Sequence, residues 1–131
     1  MGSFSDHWEN EILDHLFGKG SYSPPTIYVG LSTADPGDDG SGLAEPSGNG
    51  YARKATTAAD WNAASGGALD NATAIEFAEA TGNWGTVTHF ALFDAAGGGH
   101  LLAHGSLNQS KTIASGDSAR FAAGDLDVSL N

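Results

Sequence analysis

Asp35, Asp38 and Asp39 crowd three carboxylates into the turn Asp35-Pro36-Gly37-Asp38-Asp39-Gly40, a composition that hard cations favour. An EF-hand loop needs acids at positions 1, 3 and 5, glycine at 6 and a bidentate glutamate at 12. Counted from Asp35, position 3 is Gly37 and position 12 is Pro46, so two ligand positions fail. The segment reads as an acidic turn kept soluble by its charge. His100 and His104 stand four apart in a segment with strand character, so their imidazoles share a face but lie about 13 Å apart at ~3.3 Å per residue. One ion with bonds of ~2.1 Å does not bridge that gap. Together with His89 on a neighbouring strand they read as ordinary strand histidines, and His7 and His15 as solvent-facing residues of a helix. No metal ligand is assigned.

Ser106, His89 and Asp94 make a nucleophilic triad on paper, but no Gly-x-Ser-x-Gly elbow is present to aim a serine. Glu76 and Glu79, three apart in extended chain, point to opposite faces and cannot flank one glycosidic bond. Gly97-Gly98-Gly99 runs from strand to strand and lacks the helix N-terminus that a phosphate loop requires. The expectation is therefore no catalytic residue, no cofactor and no enzyme. Trp61 and Trp84, each beside loop residues, fit either stacking platforms for a sugar or plugs that close the ends of a β-domain. Burial of ~150–250 Å² per aromatic favours plugs.

The elements that would position these residues are mostly strands. Ser5 is a helix N-cap, and Trp8, Ile12 and Leu16, widened by Leu13 and Phe17, form the apolar stripe of an amphipathic helix ending at Gly18. A helix of about three turns is not stable alone, so its stripe must be covered by its own domain or by a neighbouring subunit. After Pro24-Pro25 the pattern turns extended: Thr26 to Ser32, then a long Gly/Pro-rich acidic loop at 34–49, then Gly50 to Thr57. Asp60 to Asn71 reads as a further loop. Short strands follow at Ala72–Phe77, Thr86–Asp94, His100–Leu107, Lys111–Ala114, Ala119–Ala122 and Leu126–Leu130. In the second of these, Val87, His89, Ala91 and Phe93 would share one face. Strands every 8–12 residues with Gly-rich turns predict a mainly β, antiparallel sandwich or barrel-like domain with one N-terminal amphipathic helix. We take 1–131 as one domain, with 1–20 a helical arm and 26–131 the β-sandwich.

Composition narrows the partners. The 131 residues hold 5 Lys+Arg against 16 Asp+Glu, a net charge of −11. Nucleic-acid or anionic-membrane binding needs clustered cations, and Arg53-Lys54 is the sole adjacent basic pair. With no cysteine, disulfides, thiolate metal sites and a Cys nucleophile are excluded. No apolar run approaches the ~20 residues of a membrane span. The N-terminal residues lack the basic region of a signal peptide and, with Asp6 where Ser or Thr is expected, miss the myristoylation pattern.

Five stretches resemble a family of small tailed-bacteriophage virion proteins, often labelled tail-fibre proteins: Ile27 to Pro36, Gly50-Tyr51-Ala52-Arg53, Asn71 to Phe77, Ala80 to Phe90 and Ala122 to Leu126. The resemblance spans nearly the whole chain and implies a non-enzymatic virion component. A fibre shaft needs heptads, collagen-like triplets or a β-helix repeat, and the sequence has none of them. A capsid decoration or cement protein is the expectation, with a tail or fibre-associated adaptor and a host-surface carbohydrate-binding module as alternatives. Its partners would be the major capsid protein or other virion proteins. By analogy with decoration proteins it would be a homo-oligomer, a trimer. Trp8, Ile12, Leu16 and Phe17 are the candidate interface, and the acidic loop would be exposed or lie against a basic capsid patch.

Overall fold

The computed structural model describes residues 2–130. Its elements are β1 (Gly2–Phe4), α1 (Asp6–Leu16), β2 (Tyr28–Ser32), β3 (Lys54–Ala55), β4 (Ala68–Asp70), β5 (Ile75–Glu76), β6 (Gly85–Phe93), β7 (Leu101–Ile113), β8 (Arg120–Phe121) and β9 (Asp127–Ser129). A single 3-10 turn lies at Ala58–Asp60. The protein is mainly β with one helix near the N-terminus, as the sequence predicts. Seven strands make one curled sheet in the order β3-β2-β6-β7-β1-β9-β4, and β5 pairs with β8 as a separate ribbon. Every pairing is antiparallel except that of β1 with β9.

Local chemistry explains α1. The Ser5 hydroxyl accepts from Trp8 N at 3.3 Å and itself donates to Leu101 O at 2.5 Å, so the cap also fastens the helix start to β7. Asp6 and Glu9 sit in the first turn and His15 in the last, the charge order that suits the helix dipole. Beyond Phe17 the chain leaves the helix through Gly18 at φ +72°.

Four features depart from the sequence reading. Gly2–Phe4 enters the middle of the sheet between β7 and β9, so the first residues of the expected arm belong to the β-structure. The stretch Asp60–Asn71, expected as a loop, carries β4 on the sheet edge: Gly66-Gly67 makes a tight turn between Ser65 and Ala68, and Trp61 bridges to Asn71. The separate strands expected at 100–107 and 111–114 are one 13-residue strand, β7. Its residues from Ser106 to Thr112 are almost all exposed, so no alternation of apolar residues marked it. Finally, β6 carries a register shift between Val87 and His89. That bulge rotates Val87 to the side of Phe90 and Leu92, and all three join the core.

The sheet has two unlike faces. Register places Val29 beside Leu92 and Ala103, Leu31 beside Phe90 and Gly105, and Val128 beside Gly2 and Leu69. This face carries the core, closed at one end by Ile75, Phe77, Trp84 and Leu126. The Phe90 ring lies on bare backbone there: a β-carbon on Gly105 would stand 2.7 Å from Phe90 Cε1 and 2.7 Å from Gly2 Cα. Asn71, fully buried, pins the covering layer. Its Nδ2 donates to Thr73 O at 2.8 Å and Ala122 O at 2.9 Å, and its Oδ1 accepts from Leu126 N at 2.9 Å. Asn71→Ala leaves the buried Leu126 N–H and two partly buried carbonyls, of Thr73 and Ala122, without their partner and is expected to cost about 2–4 kcal/mol. Urea unfolding checks this, and a loss under about 1 kcal/mol would contradict the pinning role.

Candidate functional site

On the opposite face the acidic loop 34–49 folds back over the sheet instead of standing in solvent. Its anchor is Glu45. Arg53 meets it in a two-pronged pair, Nη2 to Oε1 at 2.6 Å and Nε to Oε2 at 3.0 Å, with the arginine side chain only 6 % exposed. Arg53 Nη1 also donates to Ala95 O at 2.8 Å and Gly98 O at 2.9 Å, and its guanidinium lies 3.5 Å from the centroid of the Phe93 ring. One cation thus ties together the acidic loop, the segment before β3, the β6–β7 turn and β6. Tyr51 completes the knot: its hydroxyl donates to Glu45 Oε2 at 2.6 Å and accepts from Leu31 N at 3.0 Å. Burial, and then the bond to Glu45, push the Tyr51 hydroxyl far above the ordinary tyrosine pKa. The knot seats directly on Gly30, where a β-carbon would fall 2.8 Å from Phe93 Cε2 and 2.9 Å from the Tyr51 hydroxyl.

The carboxylates that suggested a cation instead face histidines. Asp38 Oδ1 lies 2.9 Å from His104 Nε2, and Asp35 Oδ1 sits 3.8 Å from His104 Nδ1 and 4.0 Å from His89 Nε2. Asp39 is bound into its own turn through Ser41 N. The triad imagined from Ser106, His89 and Asp94 is not assembled. Ser106 and His89 are register partners, His89 Nδ1 contacts the Thr88 hydroxyl at 2.8 Å, and Asp94 holds His100 through its backbone N at 2.7 Å and its Nδ1 at 2.9 Å. Glu76 is 3.9 Å from Arg120 across the small ribbon. His7, expected to face solvent, stacks on His100 with ring centroids 3.9 Å apart and planes 3° from parallel. His15 Nδ1 accepts from Tyr22 N at 3.3 Å.

Trp84 is a plug: it is 4 % exposed and donates from Nε1 to Asn49 O at 2.8 Å. Trp61 is half-buried, donates to the Thr56 hydroxyl at 3.0 Å, and forms one wall of a groove. That groove, about 1130 Å³, is the uncovered end of the core face. Phe4, Trp8, Ile27, Leu92 and Val128 line it with Trp61, and no Asp, Glu, Lys or Arg side chain does.

Of the four residues expected at an interface, Trp8 and Ile12 reach this groove. Trp8 packs on Phe4 at 4.6 Å between centroids and donates to the Tyr22 hydroxyl at 2.9 Å. Leu16 and Phe17 stand clear of the domain, 70 % and 74 % exposed, with Leu13 at 53 % beside them. No residue of α1 is buried. The sequence reading missed Arg53, Tyr51, Glu45 and Asn71 as a set of anchors, although Gly50-Tyr51-Ala52-Arg53 and Asn71 lie in the stretches that carried the resemblance.

A curled β-domain whose buried polar side chains tie its own loops, and whose apolar helix face is open, is built as a structural part. The chain belongs to the family described as podophage GP4 fiber I protein gp80, whose model matches residues 3–129. It is thus a member of a phage virion structural family. No curated protein matches the sequence.

Arg53→Met removes one partner of the buried pair and is expected to destabilise the fold by about 3–5 kcal/mol, with Arg53→Met/Glu45→Met recovering much of it. Denaturant midpoints check both, and an unchanged midpoint for the single variant would contradict the anchoring role. Acid weakens the domain through other groups. Hydrogen bonds from Thr57 N and Thr73 hold the Asp60 carboxyl low. At Asp94 burial pulls upward, but the bonds and charge of His100 outweigh it and the carboxyl is also low. Both pKa values lie below the unfolded ~3.9, so their contribution is present above that pH and is lost as pH falls through the folded values. Asp94→Asn is expected to flatten the acid limb of a stability–pH curve, and an identical limb would contradict it.

Proposed function

We propose that this chain is a non-catalytic assembly subunit of the virion that seats on a neighbouring virion protein through α1 and the adjoining groove. The observation that carries this reading is an uncovered apolar surface without charge in a chain of net charge −11. On the same helix, outside the groove, Leu13, Leu16 and Phe17 are held in solvent, where an isolated domain gains nothing from them. Burying each would contribute about 1.5–3 kcal/mol, and apolar patches of this kind mark protein–protein contacts. Self-association uses the same logic, and we propose a homo-oligomer, with a trimer as the expected number. Nucleic acid is disfavoured as a partner because Arg53, one of only 5 basic side chains, is consumed by Glu45. Among the described residues no helix is long and apolar enough to cross a membrane.

The family description names a fibre protein, which supports a place in the fibre or tail. The chain carries none of the repeats from which shafts are made, so it would be an adaptor or terminal domain of such a fibre. The second reading, capsid decoration on the major capsid protein, rests on that same lack of a shaft repeat in a domain of 131 residues. A carbohydrate platform at Trp84 is not proposed, because that ring is inside the fold.

Subunits per purified particle separate the two locations: a fibre component is expected in a few to tens of copies, a decoration protein in hundreds. Leu16→Asp and Phe17→Asp are expected to leave the melting temperature within about 2 °C, since exposed sites tolerate change. Each should weaken attachment or oligomer formation roughly 10- to 150-fold. Light scattering and particle-binding assays read this, and full attachment by both variants would overturn the proposed interface.

A further inference from the structure

We infer that His7, Asp94 and His100 form a site for a divalent transition-metal ion of the zinc type, clamping α1 to the β6–β7 turn. His7 is the second residue of α1, Asp94 follows the last residue of β6, and His100 precedes the first residue of β7. Three separate points of the chain therefore converge, and one ligand atom from each lies within 4.8 Å of the others. The ligand chemistry is selective. Two imidazoles and one carboxylate suit zinc and its neighbours, whereas calcium and magnesium prefer all-oxygen shells.

The three side chains are gathered but not yet in ligand geometry. Asp94 is fixed by His100 N at 2.7 Å, and its second oxygen meets His100 Nδ1 at 2.9 Å. An ion taking Asp94 Oδ2 and His100 Nδ1 as ligands would replace the proton that now lies between them. His7 stacks face to face on His100, with centroids 3.9 Å apart and planes 3° from parallel, so the two rings are neighbours but one must turn its nitrogen toward the other for both to reach one ion. A tetrahedral ion asks for ligand separations of about 3.4 Å, so the rings must tilt and close by about an ångström. Their exposure allows that: the His100 side chain is 60 % exposed and Asp94 21 %. One coordination position of the tetrahedron would remain for water or for a group from a neighbouring subunit.

Electrostatics favour the cation despite its place near the positive end of α1. Asp6 and Glu9 offset the helix dipole in that first turn. The clamp would add a tie between α1 and the β6–β7 turn to the Ser5 cap and the Trp8 packing that already hold a helix without a fully buried residue. The sequence reading compared His100 only with other strand residues and left His7 on the helix face.

The test is a zinc titration of the untagged full chain at pH 7.5, followed by calorimetry and by thermal unfolding. We expect one ion per chain, a melting temperature raised by roughly 5–10 °C near saturation, and at least tenfold weaker binding for His7→Ala and for His100→Ala. His104→Ala should bind as the parent does. No binding at 100 µM zinc, binding retained by both variants, or an equal preference for calcium would overturn the site. These readouts use the isolated chain, so they stand or fall apart from virion attachment.

Discussion

The contact between Arg53 and Glu45 is the constraint on which the rest of this fold depends. A long loop of Gly, Pro and acids has few apolar residues, Pro36 and Leu43 among them, with which to fold against a sheet, and in a chain of net charge −11 its carboxylates repel their surroundings. The guanidinium solves both problems in one place. It neutralises Glu45, spans to the turn carbonyls of Ala95 and Gly98, and lies on the Phe93 ring. A lysine has neither the planar fork nor the number of donors to do this. Tyr51 and the bare Gly30 are the matching parts, one satisfying the free edge of β2 and the other leaving room for the group to sit.

Closing one face of the sheet in this way leaves the molecule asymmetric. One side is covered by its own acidic loop, with Asp35 and Asp38 set against His89 and His104. The other is covered only in part, by the layer that Asn71 pins, and ends in a groove bordered by Trp8 and Trp61. Among the described residues, no buried side-chain nitrogen or oxygen lacks a partner. The polar side chains inside the fold are thus committed to holding loops, while the uncommitted surface is apolar. That division suits a subunit whose contribution to a particle is shape and adhesion.

Much of this was legible in the sequence. The Ser5 cap and the stripe from Trp8 to Phe17 predict α1 almost to the residue, because capping and periodicity are local properties. The alternation in β6 was visible but shifted, since a bulge at Val87 depends on how β7 pairs with it. β4 and the end of β7 were hidden for a different reason: they are exposed or on an edge, so no apolar pattern is required of them. The residues proposed for the interface could be named from the stripe alone. The anchors Glu45, Tyr51 and Arg53 could not, because a salt bridge over eight residues of loop has no signature until the chain is folded. His7 against His100 is the same case across most of the chain.

The central claim is that the open face of α1 and its groove is where the next virion protein sits. Hydrogen exchange on the free chain and on the chain bound in the particle tests this most directly, because α1 has no buried residue and should exchange readily when free. The account predicts strong protection of residues 8–17 and of the segment around Trp61 on assembly, with the 34–49 loop little changed. Protection confined to the 34–49 loop, with α1 exchanging as it does in isolation, would contradict it.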